Sequence, residues 1–494
     1  MFRTLCLFSS LVGAASAQFA FDAPVASAVG NQPEGVVIAD LDGDGDRDMA
    51  VASDAPDKVS ILFNTGNGGF AAPVVVLTGG GTSPHALVAG DLDGDGDTDL
   101  AVTLKNINQV RVLRNDGGVF VNAGSTAVGA DPRALTAGDL DGDGDLDLVT
   151  GNRDGNSATV LLNGGAASFV ASTLAIAGEV RDVAVGRFDA DADLDLAVSN
   201  QDLRRIELRL NNGAGAFVAG ANLTMGQVRP EGLVAADLDG DGDTDIATAG
   251  SGGGLNVAVV FAHDGAGGFS GASFFATGGL DPSAIAAADL DVDGDLDLVT
   301  ANTDSSTLSL LPNAGNATFG AATVLASGGV PQALAAGDLD GNGGADLAVT
   351  REGPGDVAVL FNQNGGAVSV FEDLGQALAG SNGLPVLTGT GTLVAGEPMA
   401  LSLTNALANT TTYLVVGLAA INLPFNGGTL VPAFEAPNGT FLIRTTDGAG
   451  ELVLGGPWIA GVPAGTELFF QHWLVDAAGP FGFAASNALR GVTP

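Results

Sequence analysis

Lysine is almost missing from this chain: Lys58 and Lys105 are the only two among 17 basic residues, against 57 acidic ones in 494, for a formal net charge of −40. A phosphate backbone would be repelled, so nucleic acid is excluded as a partner. Cysteine is reduced to Cys6 and histidine to His85, His263 and His472, in separate segments. Disulfide scaffolds and soft-metal centres are thereby excluded. No apolar run reaches the roughly 18 residues that span a bilayer, because the stretch 414–425 is too short and holds Asn422 and Pro424. The sequence also has no H-E-x-x-H, G-x-S-x-G or P-loop motif to carry catalysis.

What the chain does have is apolar residues (46 %) and 76 glycines, enough for a packed core in a repeat architecture or in two to four domains. Residues 1–17 read as a secretory signal, with Arg3, an apolar stretch over 5–14, and Ala15-Ser16-Ala17 before Gln18. Cys6 would leave with it. A cysteine-free mature protein, secreted, periplasmic or displayed at the cell surface, is the expectation.

A single motif organises the next 350 residues or so. D-L-D-G-D-G-D-x-D begins at Asp40, Asp91, Asp139 and Asp237, and returns altered at Arg187, Asp289 and Asp338, at spacings of 51, 48, 48, 50, 52 and 49. Seven units of about fifty residues, each with short period-two or apolar runs and Gly/Asn turns, argue four strands per unit. The predicted fold is all-β, a seven-bladed β-propeller over 18–371. The opening Phe19-Ala20-Phe21-Asp22-Ala23-Pro24 matches the fourth-strand segment that starts at Phe70, so the N-terminus is expected to supply the outer strand of the last blade.

Thirty-two of the 57 acidic residues lie in the seven nine-residue loops. Carboxylates about 4 Å apart repel by about 4 kcal/mol at an effective dielectric of 20, so clusters like these call for a cation. Positions 1, 3, 5 and 9 offer carboxylates, position 6 is a Gly that permits positive φ, and position 7 presents its carbonyl. Hard oxygen ligands at this spacing suit Ca²⁺, and the absence of Glu at position 12 separates the loops from EF-hands. The candidate ligands are Asp40, Asp42, Asp44, Asp46 and Asp48; Asp91, Asp93, Asp95, Asp97 and Asp99; Asp139, Asp141, Asp143, Asp145 and Asp147; Asp237, Asp239, Asp241, Asp243 and Asp245; Asp289, Asp291, Asp293, Asp295 and Asp297; and Asp338, Asp340, Asn342, Gly344 and Asp346. In the fourth loop Arg187 replaces the first Asp and Ala192 the turn Gly. The guanidinium is expected to sit among Asp189, Asp191 and Asp195 as a built-in cation, leaving about six calcium ions, the weakest at Asp338.

Aligning the units puts Glu34, His85, Arg133, Arg181, Glu231, Ser283 and Gln332 at one equivalent position, preceded by Pro in six of the seven. Pro fixes the backbone while the following side chain varies, as a recognition ring on the face opposite the acidic loops would require. Lys58, Lys105, Arg153, Arg204, Arg205, Arg229 and Arg351 fall on that face too, so an anionic or polyhydroxylated ligand is expected.

The acidic loops and the Phe319-Gly320 pair resemble the FG-GAP repeats, also called VCBS-type repeats, of the integrin α-subunit propeller and of many exported bacterial proteins. The resemblance implies the propeller fold and calcium binding more firmly than any activity. A non-catalytic adhesion, ligand-binding or scaffold module for a protein or glycan partner is the expected function. The alternative is a carbohydrate-active enzyme, a polysaccharide lyase or hydrolase, or a lectin using the face opposite the loops. Residues 372–494, with Tyr413, Trp458 and Trp473 as all the Tyr and Trp of the chain, are expected to form a β-sandwich module.

Overall fold

The computed structural model describes residues 19–66 and 68–364 in full and, beyond them, the backbone of ten strands between 371 and 492. The predicted signal segment 1–17 lies outside the described residues. The chain divides into two compact units, of which the propeller is the first.

Seven four-stranded antiparallel sheets make up the propeller. In the first, Asn31–Ala39 lines the axis, followed outward by Asp48–Ala55, Lys58–Leu62 and Val74–Leu77. The second and third strands of a blade are sandwiched between neighbouring blades, so both faces are dry and the sequence runs apolar without alternation. Asp99–Leu104, for example, is buried at every residue. Outer strands are mostly exposed. The core therefore lies between blades: Leu41, Val59 and Ile61 of the first pack against Leu100, Leu104 and Phe120 of the second.

Closure of the ring follows the expectation, with a two-residue shift. Val25–Ala28 pairs with the third strand of the last blade, Val25 opposite Val359 and Ala28 opposite Asp356. Phe21, not Phe19, bridges Asn362 as Phe70 bridges Asn64. The true equivalence is thus Phe21-Asp22-Ala23-Pro24 with Phe70-Ala71-Ala72-Pro73. In the fifth blade the residue facing the Phe is likewise His263.

The inner strands carry the feature that makes the ring of variable side chains. In all seven, the pairing register slips just after the Pro position, as between Pro33 and Val36 or Pro282 and Ala284. A bulge here re-aims the residues it contains toward the axis. The next position is Gly35, Ala86, Ala134, Asp182, Gly232, Ala284 or Ala333. A Cβ on Gly35 would stand 2.3 Å from the His85 carbonyl oxygen, so adjacent inner strands approach to backbone contact.

In the C-terminal unit the strands pair as a five-stranded, a three-stranded and a two-stranded sheet. How they pack, and with it the expected sandwich, lies outside the described residues.

Candidate functional site

Each acidic loop joins the first two strands of its blade and is shaped by its own carboxylates. Asp40 accepts the N–H groups of Gly43 and Gly45 at 2.8 and 3.1 Å, which requires positive φ at both glycines, +78° and +97°. Ligand oxygens from positions 1, 3 and 9 then fall within 4.8 Å of one another in the sets Asp40/Asp42/Asp48, Asp91/Asp93/Asp99, Asp139/Asp141/Asp147, Asp237/Asp239/Asp245 and Asp289/Asp291/Asp297. Positions 5 and 7 stay outside these sets. Asp44 instead accepts the N–H of Asp46 at 2.9 Å, and Asp97 braces Gly117 of the following turn at 2.8 Å. In the seventh loop Asp346 accepts the N–H of Leu339 at 2.7 Å, and Asn342 bonds Asp340.

Two observations test whether a hard cation suits these triads. One oxygen of Asp141 and one of Asp291 are buried with no hydrogen-bond partner, a costly state for a carboxylate that a metal ion would relieve. Position 9 is fully buried in every loop, and burial pushes Asp48, Asp147, Asp195 and Asp245 up to about 6 and Asp297 to about 7. Burial followed by the neighbouring Asp293 raises Asp291 to about 6. The donors are all oxygen, so the residues fit Ca²⁺.

The fourth loop departs in a different way from the expectation. Arg187 does not enter the carboxylate cluster: its Nε donates to the Ala192 carbonyl at 3.1 Å, and it makes no ion pair among the described residues. The reason is conformational. Neither Ala190 nor Ala192 adopts positive φ, so the turn that would gather the carboxylates around position 1 does not form. The sixth loop shows the opposite compromise, holding Val292 at φ +62° where five other loops have glycine at +75° to +81°.

Sequence reasoning missed what ties these loops to the ring. Position 9 uses one oxygen for the N–H of position 2 and the other for the backbone N–H of a residue sixteen or eighteen positions on, the latter always at 2.7 Å. In six blades that residue is Asn: Asn64, Asn115, Asn163, Asn211, Asn313 and Asn362. Its Nδ2 crosses to the previous blade and donates to the carbonyl of position 2 at 2.6–2.8 Å. Position 2, between the first two candidate ligands, is thereby held by both blades. The exception is the fifth blade, where His263 stands in place of Asn, its Nδ1 buried without a partner and its ring stacked on Phe269 at 4.7 Å. Phe269 also meets Phe188 of the altered fourth loop at 6.2 Å. Aromatic packing replaces the polar latch at the one junction where the loop has lost its first Asp. The signal was visible as Asn repeating in register after the third strand, but it reads as turn chemistry.

On the other side of the disc, the seven aligned residues all line one axial cavity of about 400 Å³, together with Asp182. Of the basic residues expected on the surrounding face, Lys58, Arg204 and Arg229 make no ion pair among the described residues, while the others are matched by carboxylates. Lys105 pairs with Glu34 and Asp54 at 3.4 and 3.2 Å, Arg181 with Glu231 at 2.7 Å, and Arg133 with Asp131 at 2.9 Å. Arg153, Arg205 and Arg351 are matched in the same way by Glu179, Glu207 and Asp356. His85 keeps about a fifth (21 %) of its side chain open to the cavity, yet protein surrounds it. Burial, with Lys105 and Arg133 nearby, pushes it down to about 3, so it is neutral. Asp182 is raised to about 7 by burial, and burial also raises Glu231 despite Arg181.

Among solved structures, a BBS1N chain in complex with ARL6DN is 16 % identical, with 69 % of this chain and 96 % of that one covered at a TM-score of 0.48. A candidate 6-phosphogluconolactonase from Bacteroides uniformis is 14 % identical over 64 % and 94 %, TM-score 0.48. A Lactobacillus plantarum protein is 14 % identical over 61 % and 86 %, TM-score 0.45. No curated protein matches the chain. The FG-GAP-like repeat family matches six overlapping windows, 40–102, 96–150, 139–198, 187–248, 237–300 and 289–349, each running from one acidic loop through the next. The windows begin or end on the loops and strands described above and span well over half the chain, which therefore belongs to the FG-GAP-like repeat family.

Proposed function

We propose that this chain is an exported calcium-binding propeller that acts as a non-catalytic ligand-binding, adhesion or scaffold module. The observation that carries the reading is the repeated convergence of three carboxylates in loops latched to the next blade, with a buried unpartnered oxygen in two of them, at Asp141 and Asp291. Calcium in those loops would tighten the ring from which the axial cavity is built. Export rests on residues 1–17 of the sequence. Among the described residues no helix is long and apolar enough to cross a membrane.

A carbohydrate-active enzyme is the second reading, favoured by the raised carboxyls of Asp182 and Glu231 in the cavity. Their oxygens are engaged, however: Asp182 accepts the N–H groups of Leu233 and Val183, and Glu231 holds Arg181 and Gln201. A proton-transfer group needs an oxygen within reach of substrate, so these engagements support binding over turnover. Thermal unfolding in EDTA and in 1 mM calcium tests the first reading. Sites with dissociation constants of about 10⁻⁴ to 10⁻³ M would each add about 0.4–1.4 kcal/mol. A melting temperature unchanged by EDTA refutes calcium binding, and calcium-dependent depolymerisation of a glycan, lost in Glu231→Gln, would move the protein to the second reading.

A further inference from the structure

The axial cavity has its carboxylates committed and guanidinium donors to spare. Glu231 and Asp182 are engaged as described, and Glu34 faces Lys105 at 3.4 Å and His85 at 3.7 Å. Arg133, by contrast, uses only Nε, on Asp131, so the two terminal nitrogens of its guanidinium have no partner among the described residues. His85 on the neighbouring blade is a neutral ring that bonds the Arg133 backbone and brings no charge to the cavity. Blades two to four thus line the cavity wall with His85, Arg133 and Arg181, and of these the Arg133 guanidinium is the cation with nitrogens left over for a ligand.

The sevenfold order of the ring places blades six and seven across the axis from blade three. They present Ser283, whose hydroxyl donates to the Ala301 carbonyl at 3.4 Å, and Gln332, whose amide nitrogen donates to Glu352 at 3.0 Å, so each keeps an oxygen that can accept from a ligand hydroxyl. A ligand that satisfies both sides carries an anionic fork at one end and hydroxyls at the other. A neutral sugar could offer the guanidinium only uncharged hydroxyl oxygens, without the charge-assisted planar pair that a carboxylate makes, and would meet no aromatic platform, since every Trp and Tyr of the chain lies beyond residue 400. An amino acid would need an uncommitted carboxylate for its ammonium. Inorganic sulfate would occupy only a small part of about 400 Å³ and leave the far side without a partner.

We propose that the axial cavity binds a small hydroxylated carboxylic acid of the sugar-acid class, its carboxylate on the Arg133 guanidinium and its hydroxyls on Ser283 and Gln332. The inference rests on the reading of the chain as a ligand-binding module and adds the class of ligand. Two planar N–H···O bonds from the guanidinium recognise the carboxylate, which a lysine could meet only as a point charge.

Titration calorimetry of the calcium-loaded full protein with sodium galacturonate, methyl galactoside and sodium sulfate tests it. Galacturonate should bind at least about tenfold more tightly than the neutral glycoside, and Arg133→Ala should weaken it by about tenfold or more, the usual effect of losing a charge-assisted pair. Arg133→Lys should fall between, and Ser283→Ala with Gln332→Ala should weaken galacturonate while leaving sulfate unchanged. A melt of each variant confirms that it is folded. No saturable galacturonate binding, equal affinity for glycoside or sulfate, or indifference to Arg133→Ala overturns the proposal. Because EDTA-dependent melting is read separately, a silent titration on a calcium-stabilised protein removes the sugar-acid site without touching the calcium reading.

Discussion

Replacing Asn115 by alanine should destabilise two blades at once. The Nδ2 of Asn115 donates to the Leu41 carbonyl of the first blade at 2.8 Å and to the Thr98 carbonyl of its own at 3.0 Å, while Oδ1 accepts the Gly118 N–H at 2.8 Å. The residue is 2 % exposed, so water cannot replace these partners without opening the interface. Three hydrogen bonds at a net value of about 1 kcal/mol each, with at least one carbonyl left unpaired, give a loss of about 2–4 kcal/mol. Leu41 lies between Asp40 and Asp42, so the first loop, on the other blade, should also lose calcium affinity. The assay is urea unfolding followed by far-UV circular dichroism, since Tyr413, Trp458 and Trp473 all lie outside the propeller. A loss below about 0.5 kcal/mol would refute the latch, because that is the scale of an ordinary surface substitution. An effect on stability with an unchanged calcium titration would show that latch and loop are mechanically independent.

Three further outcomes follow from the same geometry. Gly35→Ala, which drives a Cβ into the His85 carbonyl, should cost about 2–3 kcal/mol, while Gly80→Ala, with nothing within 4 Å, should be near neutral in the same melt. Val292→Gly should stabilise by about 0.5–1 kcal/mol, because a β-branched residue at φ +62° is strained and Val292 is 47 % exposed, so little burial is lost. In EDTA the propeller should melt higher at pH 5 than at pH 7.5. The position-9 carboxyls have folded values raised to about 6 or 7 from 3.8, so their contribution is complete below the unfolded value and is lost as pH rises through the folded one. Calcium should flatten that dependence, and a melt that rises with pH in EDTA would contradict the burial argument.

The architecture was readable because its signals repeat. A motif at fixed spacing, apolar runs for doubly buried strands, and an N-terminal segment echoing Phe70 together led to seven blades and their closure. The equivalence of Glu34 through Gln332 was also visible, because the bulged inner strand holds Pro before the variable residue. The state of each side chain was not legible, since it depends on long-range partners. Nothing near Arg187 in sequence says that Ala190 and Ala192 keep it out of the carboxylate cluster. Nothing near Lys105 says that Glu34, 71 positions away, takes its charge. Asn115 and Leu41 are 74 residues apart, and only the stacking of blades makes them partners.

Calcium soaked into crystals and located by anomalous scattering tests the central claim most directly. The account predicts ions at the Asp40, Asp91, Asp139, Asp237 and Asp289 triads, a more weakly held one at the Asp338 loop, and none beside Arg187, where the loop lacks both its first ligand and its two positive-φ residues. Five empty triads at millimolar calcium, or an ion bound next to Arg187, would contradict it.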